Sequence, residues 1–521
     1  MKREEECPSR KSIEGGAVLK KVIAYDLGTG GVKASLHDAS GHMLSKVFIE
    51  YRTFYPRDNW HEQRPEDWMD AVIKATEILL REGGCPPGDI ACLALSGHSL
   101  VAVPVDREGA LLSERVPIWS DGRADEQTQA YFAKVDPVKW YLKTGNGFPA
   151  RCYSIFKLMW LKEHQPEVYQ NLYKVLGSKD YVNFRLCGRL AMDYSYASGT
   201  GAFDLKNRRM DGELLAATGL RPDIFPELLE SHAVLGRLTP EAAALLRLSE
   251  ETLVACGGVD NACMALGAVG AGEGEVYTSL GSSSWIAVNS REPILDAGKR
   301  PYVFAHIEEG LYTSAFSIFA GGGSLHWLRD TLCQDLGGDA YRKMDEIASR
   351  VPIGSNGVLF NPSLAGGTSQ DRSVHIRGAF AGLSLGSTRA DMIRAVMEGV
   401  AMNLRLSLDS LKEHAALSDE MLFCGGGSKS EFWMRMFADV FEMTIRKTNI
   451  DQEAASLGAA AIALRASGLW RDYGGIKGLH QTELLLKPDR EDAARYRVLM
   501  GKFRLLNDMA AELGEAIHNN F

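Results

Sequence analysis

Residues 22–41 read VIAYDLGTGGVKASLHDASG. An apolar run, Val22-Ile23-Ala24-Tyr25, meets an acid at Asp26, turns through Gly28-Thr29-Gly30-Gly31 and resumes with Val32 and Ala34. An extended segment, a tight turn and a second extended segment make the pattern of a β-hairpin. The pattern returns 253 residues on, where Leu280-Gly281-Ser282-Ser283-Ser284-Trp285 stands in the place of Leu27-Gly28-Thr29-Gly30-Gly31-Val32. Two such turns half a chain apart in 521 residues point to two related α/β domains.

The segments between fit this. DIACLALSG (89–97) and GVLFNPSLAGG (357–367) read as buried strands running into glycine. RPEDWMDAVIKATEILLREGG (64–84) reads as an amphipathic helix closed by glycine. In STRADMIRAVMEGVAMNLRLSLDSL (387–411), Thr388 and Asp391 have capping-box spacing, and Ile393, Val396, Met397, Val400 and Leu404 form one apolar stripe. Further helices are expected after Ser430 and Glu453. The small-residue segment GAVGAGEGE marks a boundary near residue 270, giving domains 21–270 and 271–521 behind a disordered lead-in, 1–20.

Composition excludes several classes. The chain is 45% hydrophobic and 24% charged, an ordinary soluble balance, and its net charge of −9 argues against a general nucleic-acid or acidic-membrane binder. No apolar run reaches the roughly 18 residues that span a bilayer. The charged start, MKREEECPSRKSIEGG, has no signal-peptide core. Nine scattered cysteines, an odd number without a C-x-x-C pair, read as thiols of a reducing cytoplasm rather than a disulfide framework or zinc site.

A Gly/Ser/Thr turn lets backbone N–H groups approach a ligand closely, which suits phosphate, although a plain hairpin turn explains it too. Asp26 would repel phosphate unless a cation lay between, and Mg²⁺ bridging to phosphate oxygens suits that geometry. There is no G-x-x-x-x-G-K-[ST], and Lys33 takes the third glycine position of G-x-G-x-x-G. A third cluster, Gly425-Gly426-Gly427, joins a strand to a helix near Ser430. It is either a tight turn or a bed for a flat or phosphorylated ligand. In VACGGVDNACMALG, Asp260 follows an apolar strand and opens a small-residue helix. It reads either as an N-cap or as a base that accepts a hydroxyl proton during phosphoryl transfer.

In this order the pieces resemble the FGGY family of carbohydrate kinases, from about residue 21 to the last 40 residues. Gly378 to Gly399 fits the family's C-terminal signature. RCYSIFKLMWL looks like the other signature, with Ser154, Lys157 and Trp160 in register and Cys152 departing from it. GGGSLHWLRD (321–330) and EAASLGAAAIA (453–463) also look like family segments. The resemblance implies an actin/hexokinase-like (ribonuclease H-like) α/β fold, two ATPase domains around a cleft, with ATP and Mg²⁺. Asp26 would be the metal-side residue. Gly28, Thr29, Gly30 and Lys33 would form the first phosphate hairpin, and Gly281, Ser282 and Ser283 the second. Gly425, Gly426, Gly427 and Lys429 would lie along the adenosine, with Gly323 and Trp327 in the segment running past the nucleotide. Asp260 matches the family's catalytic base.

The sugar is read from IWSDGRADEQ (118–127), which resembles the W-N-D-G-R of xylulokinases within that family. Trp119, Asp121 and Arg123 would shape the substrate cleft or serve the core. Ser99 and Leu100 stand where xylulokinases have Met-His, and His98 just upstream either contacts a hydroxyl or caps a loop. LAGGTSQDRS (364–373) departs from the family's L-A-G-E-R-T-P. The expectation is phosphorylation of D-xylulose at a primary hydroxyl by a cytoplasmic enzyme, with no nucleic-acid or membrane partner and a homodimer kept open. Ribulose, erythritol or an autoinducer-type substrate are alternatives, as are a nucleotide switch or a sugar sensor of the same fold.

Overall fold

A computed structural model describes residues 20–519. The expected lead-in lies outside them, apart from Lys20. The first sheet contains strands β1 (Lys21–Leu27), β2 (Gly31–Asp38), β3 (Met43–Glu50), β4 (Ile90–Gly97), β5 (Val234–Arg237), β6 (Leu253–Ala255) and β7 (Gly258–Val259). Its order is β5-β6-β4-β1-β2-β3, with β7 also pairing β4. The second contains β8 (Val276–Leu280), β9 (Ser284–Ser290), β10 (Tyr302–Ala305), β11 (Tyr312–Ile318), β12 (Glu420–Cys424), β13 (Thr444–Thr448) and β14 (Thr482–Leu486), in the order β10-β11-β9-β8-β12-β13-β14. Around them run helices α1 (Pro65–Glu82), α2 (Ser154–His164), α3 (Asp260–Val269), α4 (Gly321–Leu332), α5 (Arg389–Lys412), α6 (Glu431–Phe441) and α7 (Ala454–Ala466).

The two sheets repeat one plan. A hairpin leads each, β1–β2 and β8–β9, and a parallel neighbour follows, β4 beside β1 and β12 beside β8. The copies differ at the turn. Leu27 pairs with Val32, but Leu280 pairs with Ser284, so the first loop is one residue longer than an equal-length alignment implies. Gly31 makes this possible, because a Cβ there would lie 2.4 Å from the Ile49 carbonyl oxygen and 2.8 Å from the Phe48 ring. The outer strands also differ, β5 preceding its antiparallel partner β6 while β14 follows β13.

Period-2 alternation in β1 separates two cores. Ile23, Tyr25 and Leu27 pack with Trp68, Val72 and Leu79 of α1. Val22 and Ala24 face the other way, with Leu266 of α3 and Ala461 and Ile462 of α7. β4 alternates likewise, Leu93 and Leu95 toward α1, Cys92 and Ala94 toward α3 and α7. The small side chains let the helices come close. Where α3 meets α7, a Cβ on Gly267 would lie 1.8 Å from the Ala454 oxygen, and one on Gly458 would lie 2.0 Å from the Cys263 oxygen. The outer side of this helix pair packs on Tyr277, Leu422 and Cys424 of the second sheet. The chain therefore stacks sheet, helix pair, sheet, and α7 covers β1 and β4, strands that end more than 350 residues earlier.

The helix starts follow their local chemistry. α1 has Pro65 in its first turn with Glu66 and Asp67, and ends at Gly83. α5 begins with a capping box, the Thr388 N–H donating to Asp391 Oδ2 at 2.7 Å. The Ser430 hydroxyl caps α6. Residues 357–367 depart from expectation. Only Leu359–Asn361 is extended, and it pairs with Ala379–Ala381 outside both main sheets. Pro362 has no N–H to continue a ladder. The expected second-half strand into glycine is β12, which enters Gly425.

Candidate active site

Three parallel strands, β1, β4 and β7, end side by side. Asp26 lies near the end of β1 on the face shared by Val22 and Ala24, so alternation aims it at α3. Ser96, next to it on β4, donates its hydroxyl to Asp26 Oδ1 at 2.8 Å. β7 leads directly into Asp260, the first residue of α3. Both acids thus stand in the crevice beyond the carboxyl ends of the strands, where open α/β sheets take their ligands.

The two carboxylates feel one another. Burial, and then the charge of Asp26, push the Asp260 carboxyl up to about 7, against backbone N–H groups that include those of Asn261 and Ser99. Asp26 is raised by burial, opposed by Lys33 across the hairpin and by the Ser96 hydroxyl. Hard carboxylate oxygens from one or two residues suit Mg²⁺, which keeps several waters and adds phosphate oxygens. Among the described residues no group of three or more His, Cys, Asp or Glu side chains could hold a metal alone.

The first hairpin is clamped around its tip. Thr29 Oγ1 accepts the Trp119 indole N–H at 2.8 Å, and its carbonyl accepts the Gln63 amide at 2.7 Å. Tyr51 donates to the Gly28 carbonyl. A Cβ on Gly30 would meet nothing within 4 Å. Gly30 therefore presents backbone to open space, while its neighbour Gly31 is required by packing. Lys33 is exposed and donates to the Gln452 carbonyl at 3.3 Å, linking this hairpin to the second half of the chain.

The second hairpin meets two glycine clusters. The N–H groups of Gly322 and Gly323, opening α4, donate to the carbonyls of Gly281 and Ser282 at 2.8 and 2.9 Å. A Cβ on Gly323 would lie 2.9 Å from the Ser282 oxygen. Gly425, at φ +91°, and Gly427 lie against Leu280, and the Gly425 N–H donates to Asp451 at 2.5 Å. Gly281, Ser282, Ser283, Gly323, Gly425, Gly426 and Gly427 thus meet at one sheet end, with exposed Lys429 beside them. Trp327, 37% exposed, stacks on Phe360 one helical turn further along α4.

The residues expected on the sugar side divide. Trp119 joins the cleft through Thr29 and lies 6.1 Å from the Phe148 ring. Asp121 is fully buried; its oxygens accept from the Arg123 guanidinium at 2.8 Å and from the His61 N–H at 2.7 Å. Arg123 also pairs with Glu62 at 2.7 Å and lies over the Trp60 ring. The pair holds the loop that carries Trp119. His98 is buried, its Nδ1–H donating to the Leu27 carbonyl at 3.0 Å, and burial pushes it down to about 4, so it is neutral. Ser99 turns its N–H to Asp260.

Three neighbours of the site carry weak sequence signals or none. Ser96 is a polar residue ending the small face of β4, a signal that alternation could have flagged. Gln63 precedes α1 and reads as an ordinary polar residue. Tyr302, on β10 of the other sheet, lies near Asn261 and Asp260 and lines a cavity of about 560 Å³ with Asn146, Phe148, Arg300 and Asp371. Only tertiary structure brings it there.

The described cysteines are all free, and no described helix is long and apolar enough to cross a membrane. The FGGY family of carbohydrate kinases matches in both of its parts, the N-terminal domain over residues 21–267 and the C-terminal domain over 276–467. A xylulose kinase of Bacillus subtilis is 31% identical over 96% of this chain and 99% of its own. A gluconokinase of the same organism is 28% identical over 95% of this chain and 98% of its own. The ligand-bound xylulose kinase of Lactobacillus acidophilus superposes with a TM-score of 0.87 at 26% identity, covering 95% of this chain and 99% of that one. With both family domains present and paired carboxylates at the sheet end, the chain belongs to the FGGY family of carbohydrate kinases, whose co-substrate is ATP.

Proposed function

We propose that this kinase transfers the γ-phosphoryl group of ATP to a primary hydroxyl of an open-chain ketose, D-xylulose being the favoured acceptor. The observation that carries the reading is the placement of Asp260. It stands at the strand ends beside Asp26 of the first glycine-turn hairpin, with its carboxyl near neutrality. Such a group is partly ionised near neutral pH, and its ionised form is basic enough to take the hydroxyl proton as the phosphoryl group leaves. Gly28, Thr29 and Gly30 would face phosphate from one side, and Gly281, Ser282 and Ser283 from the other. Gly323, Trp327, Gly425, Gly426, Gly427 and Lys429 would border the adenosine. Asp26 would hold Mg²⁺, which when bound supplies charge neutralisation at the phosphates. Residues 21–270 would carry the acceptor and the base, and 271–521 the nucleotide face. We place the enzyme in the cytoplasm.

D-Xylulose rests on the WSDGR segment and on relatives named xylulose kinase. D-Gluconate is the second reading, because gluconokinases align over nearly the same span. An ADP-release assay with D-xylulose, D-ribulose, D-gluconate, erythritol and glycerol separates them. D-Xylulose should show the highest kcat/KM. Asp260→Ala should lower kcat by about 10²–10⁴ with ATP affinity retained. Near-normal turnover by that variant would remove Asp260 as the base.

A further inference from the structure

Ser154, Lys157 and Trp160 on α2 take no part in the transfer as described. Their spacing of three puts them along one helix face. The Ser154 hydroxyl donates to the Val101 carbonyl at 3.2 Å. Lys157 Nζ donates to the Leu100 carbonyl at 2.9 Å and the Ile118 carbonyl at 2.6 Å. Trp160 meets the Trp60 ring edge-on and lies under the Arg123 guanidinium. All three grip loops that end at the acceptor side of the cleft.

Lys157 is the unusual member. It is 2% exposed, and its two hydrogen-bond acceptors are backbone carbonyls. A buried ammonium without a paired carboxylate is costly to keep. Both carbonyls belong to segments that touch the site. Leu100 sits at φ +62°, a left-handed conformation that a branched side chain rarely adopts, and it follows Ser99, whose N–H points to Asp260. Ile118 precedes Trp119, whose indole holds Thr29.

We infer that Lys157 is a positioning residue for the acceptor, tying the turn that offers Ser99 N–H to Asp260 to the segment that carries Trp119. The inference rests on the kinase reading above. It predicts that Lys157 governs the sugar and leaves ATP binding alone. Its charge is also titratable. Burial pushes the ammonium down to about 8, with Cys152 and Asp121 favouring the charged form and Arg123 opposing it. His98, on the turn facing it, is neutral in this range.

The test compares wild type, Lys157→Met and Lys157→Arg in steady-state assays with D-xylulose, or with D-gluconate if that is the sugar turned over, and records melting temperatures alongside. Lys157→Met should lower acceptor kcat/KM by about 30-fold or more. Its KM for ATP should stay within about twofold of wild type, and Lys157→Arg should recover part of the loss. Wild-type acceptor kcat/KM should fall above pH 8 while ATP affinity stays level, and Lys157→Met should lack that limb. Acceptor kcat/KM within about threefold of wild type, or equal losses toward sugar and ATP, would overturn the inference. If Lys157→Met does not fold, the wild-type profile decides, and a flat acceptor kcat/KM from pH 8 to about 9.5 counts against it. A wild type that phosphorylates neither sugar would sink the acceptor reading and this inference together.

Discussion

Burial raises the carboxyl of Asp260, the residue that follows β7, and the negative charge of Asp26, near the end of β1, raises it further, to about 7. The free enzyme should therefore lose acceptor kcat/KM by about tenfold per pH unit below pH 7, as Asp260 takes up a proton. Asp26→Asn removes the repelling charge, so its acid limb should move to lower pH even as its rate falls. A pH–rate profile of both proteins checks this, and an unmoved limb would assign the titration to another group.

The same shift has a consequence for stability. A carboxyl raised above its ordinary 3.8 contributes stability that is full below that value and is lost as pH rises through about 7. Ligand-free Asp260→Asn should thus melt above wild type at pH 8, with the gap closing as pH falls toward 4. Thermal melts across that range give the answer. A variant that melts below wild type at pH 8 would mean the ionised carboxylate is stabilising.

Glycines of two kinds should behave oppositely. A Cβ on Gly30 meets no atom within 4 Å, so Gly30→Ala should leave the melting temperature unchanged and raise the KM for ATP. Gly267→Ala places a Cβ 1.8 Å from the Ala454 oxygen and should cost about 3 kcal/mol or more, through overpacking at the α3–α7 crossing. Melting curves and ATP titrations on the pair test the contrast. It fails if Gly30→Ala unfolds early or binds ATP normally.

Trp119 and Thr29 share a hydrogen bond of 2.8 Å across the cleft mouth. Trp119→Phe and Thr29→Val should each lower kcat/KM, and the double variant should be no worse than the poorer single one. The coupling expected is about 0.5–1.5 kcal/mol. Additive losses would show that the two act separately.

Much of this was legible in the chain itself, for identifiable reasons. The β1–β2 and β8–β9 turns announced themselves because glycine and hydroxyl residues interrupt strongly apolar strands. Helix starts at Thr388 and Ser430 were readable because capping is local chemistry. Residues 357–367 misled because an apolar run into glycine does not reveal its pairing partner, and Leu359–Asn361 found a ribbon of its own. The one-residue difference between the hairpins was hidden because register depends on the facing strand. Asp121 and Arg123 were visible as a motif, but only the fold shows that they satisfy each other. Tyr302 could not be read at all, since its place beside Asn261 depends on how the second sheet sits against the first.

The dependence of the first sheet on α7 bears on how the protein is made. Val22, Ala24, Cys92 and Ala94 are covered in part by Ala461 and Ile462. A ribosome must therefore release almost nine-tenths of the chain before the earliest strands can bury that face. The nascent first half waits with an apolar sheet surface exposed, a stage at which chaperone capture and aggregation compete with completion. Lesions in residues 454–466 should thus show first as poor yield of soluble protein rather than as altered kinetics.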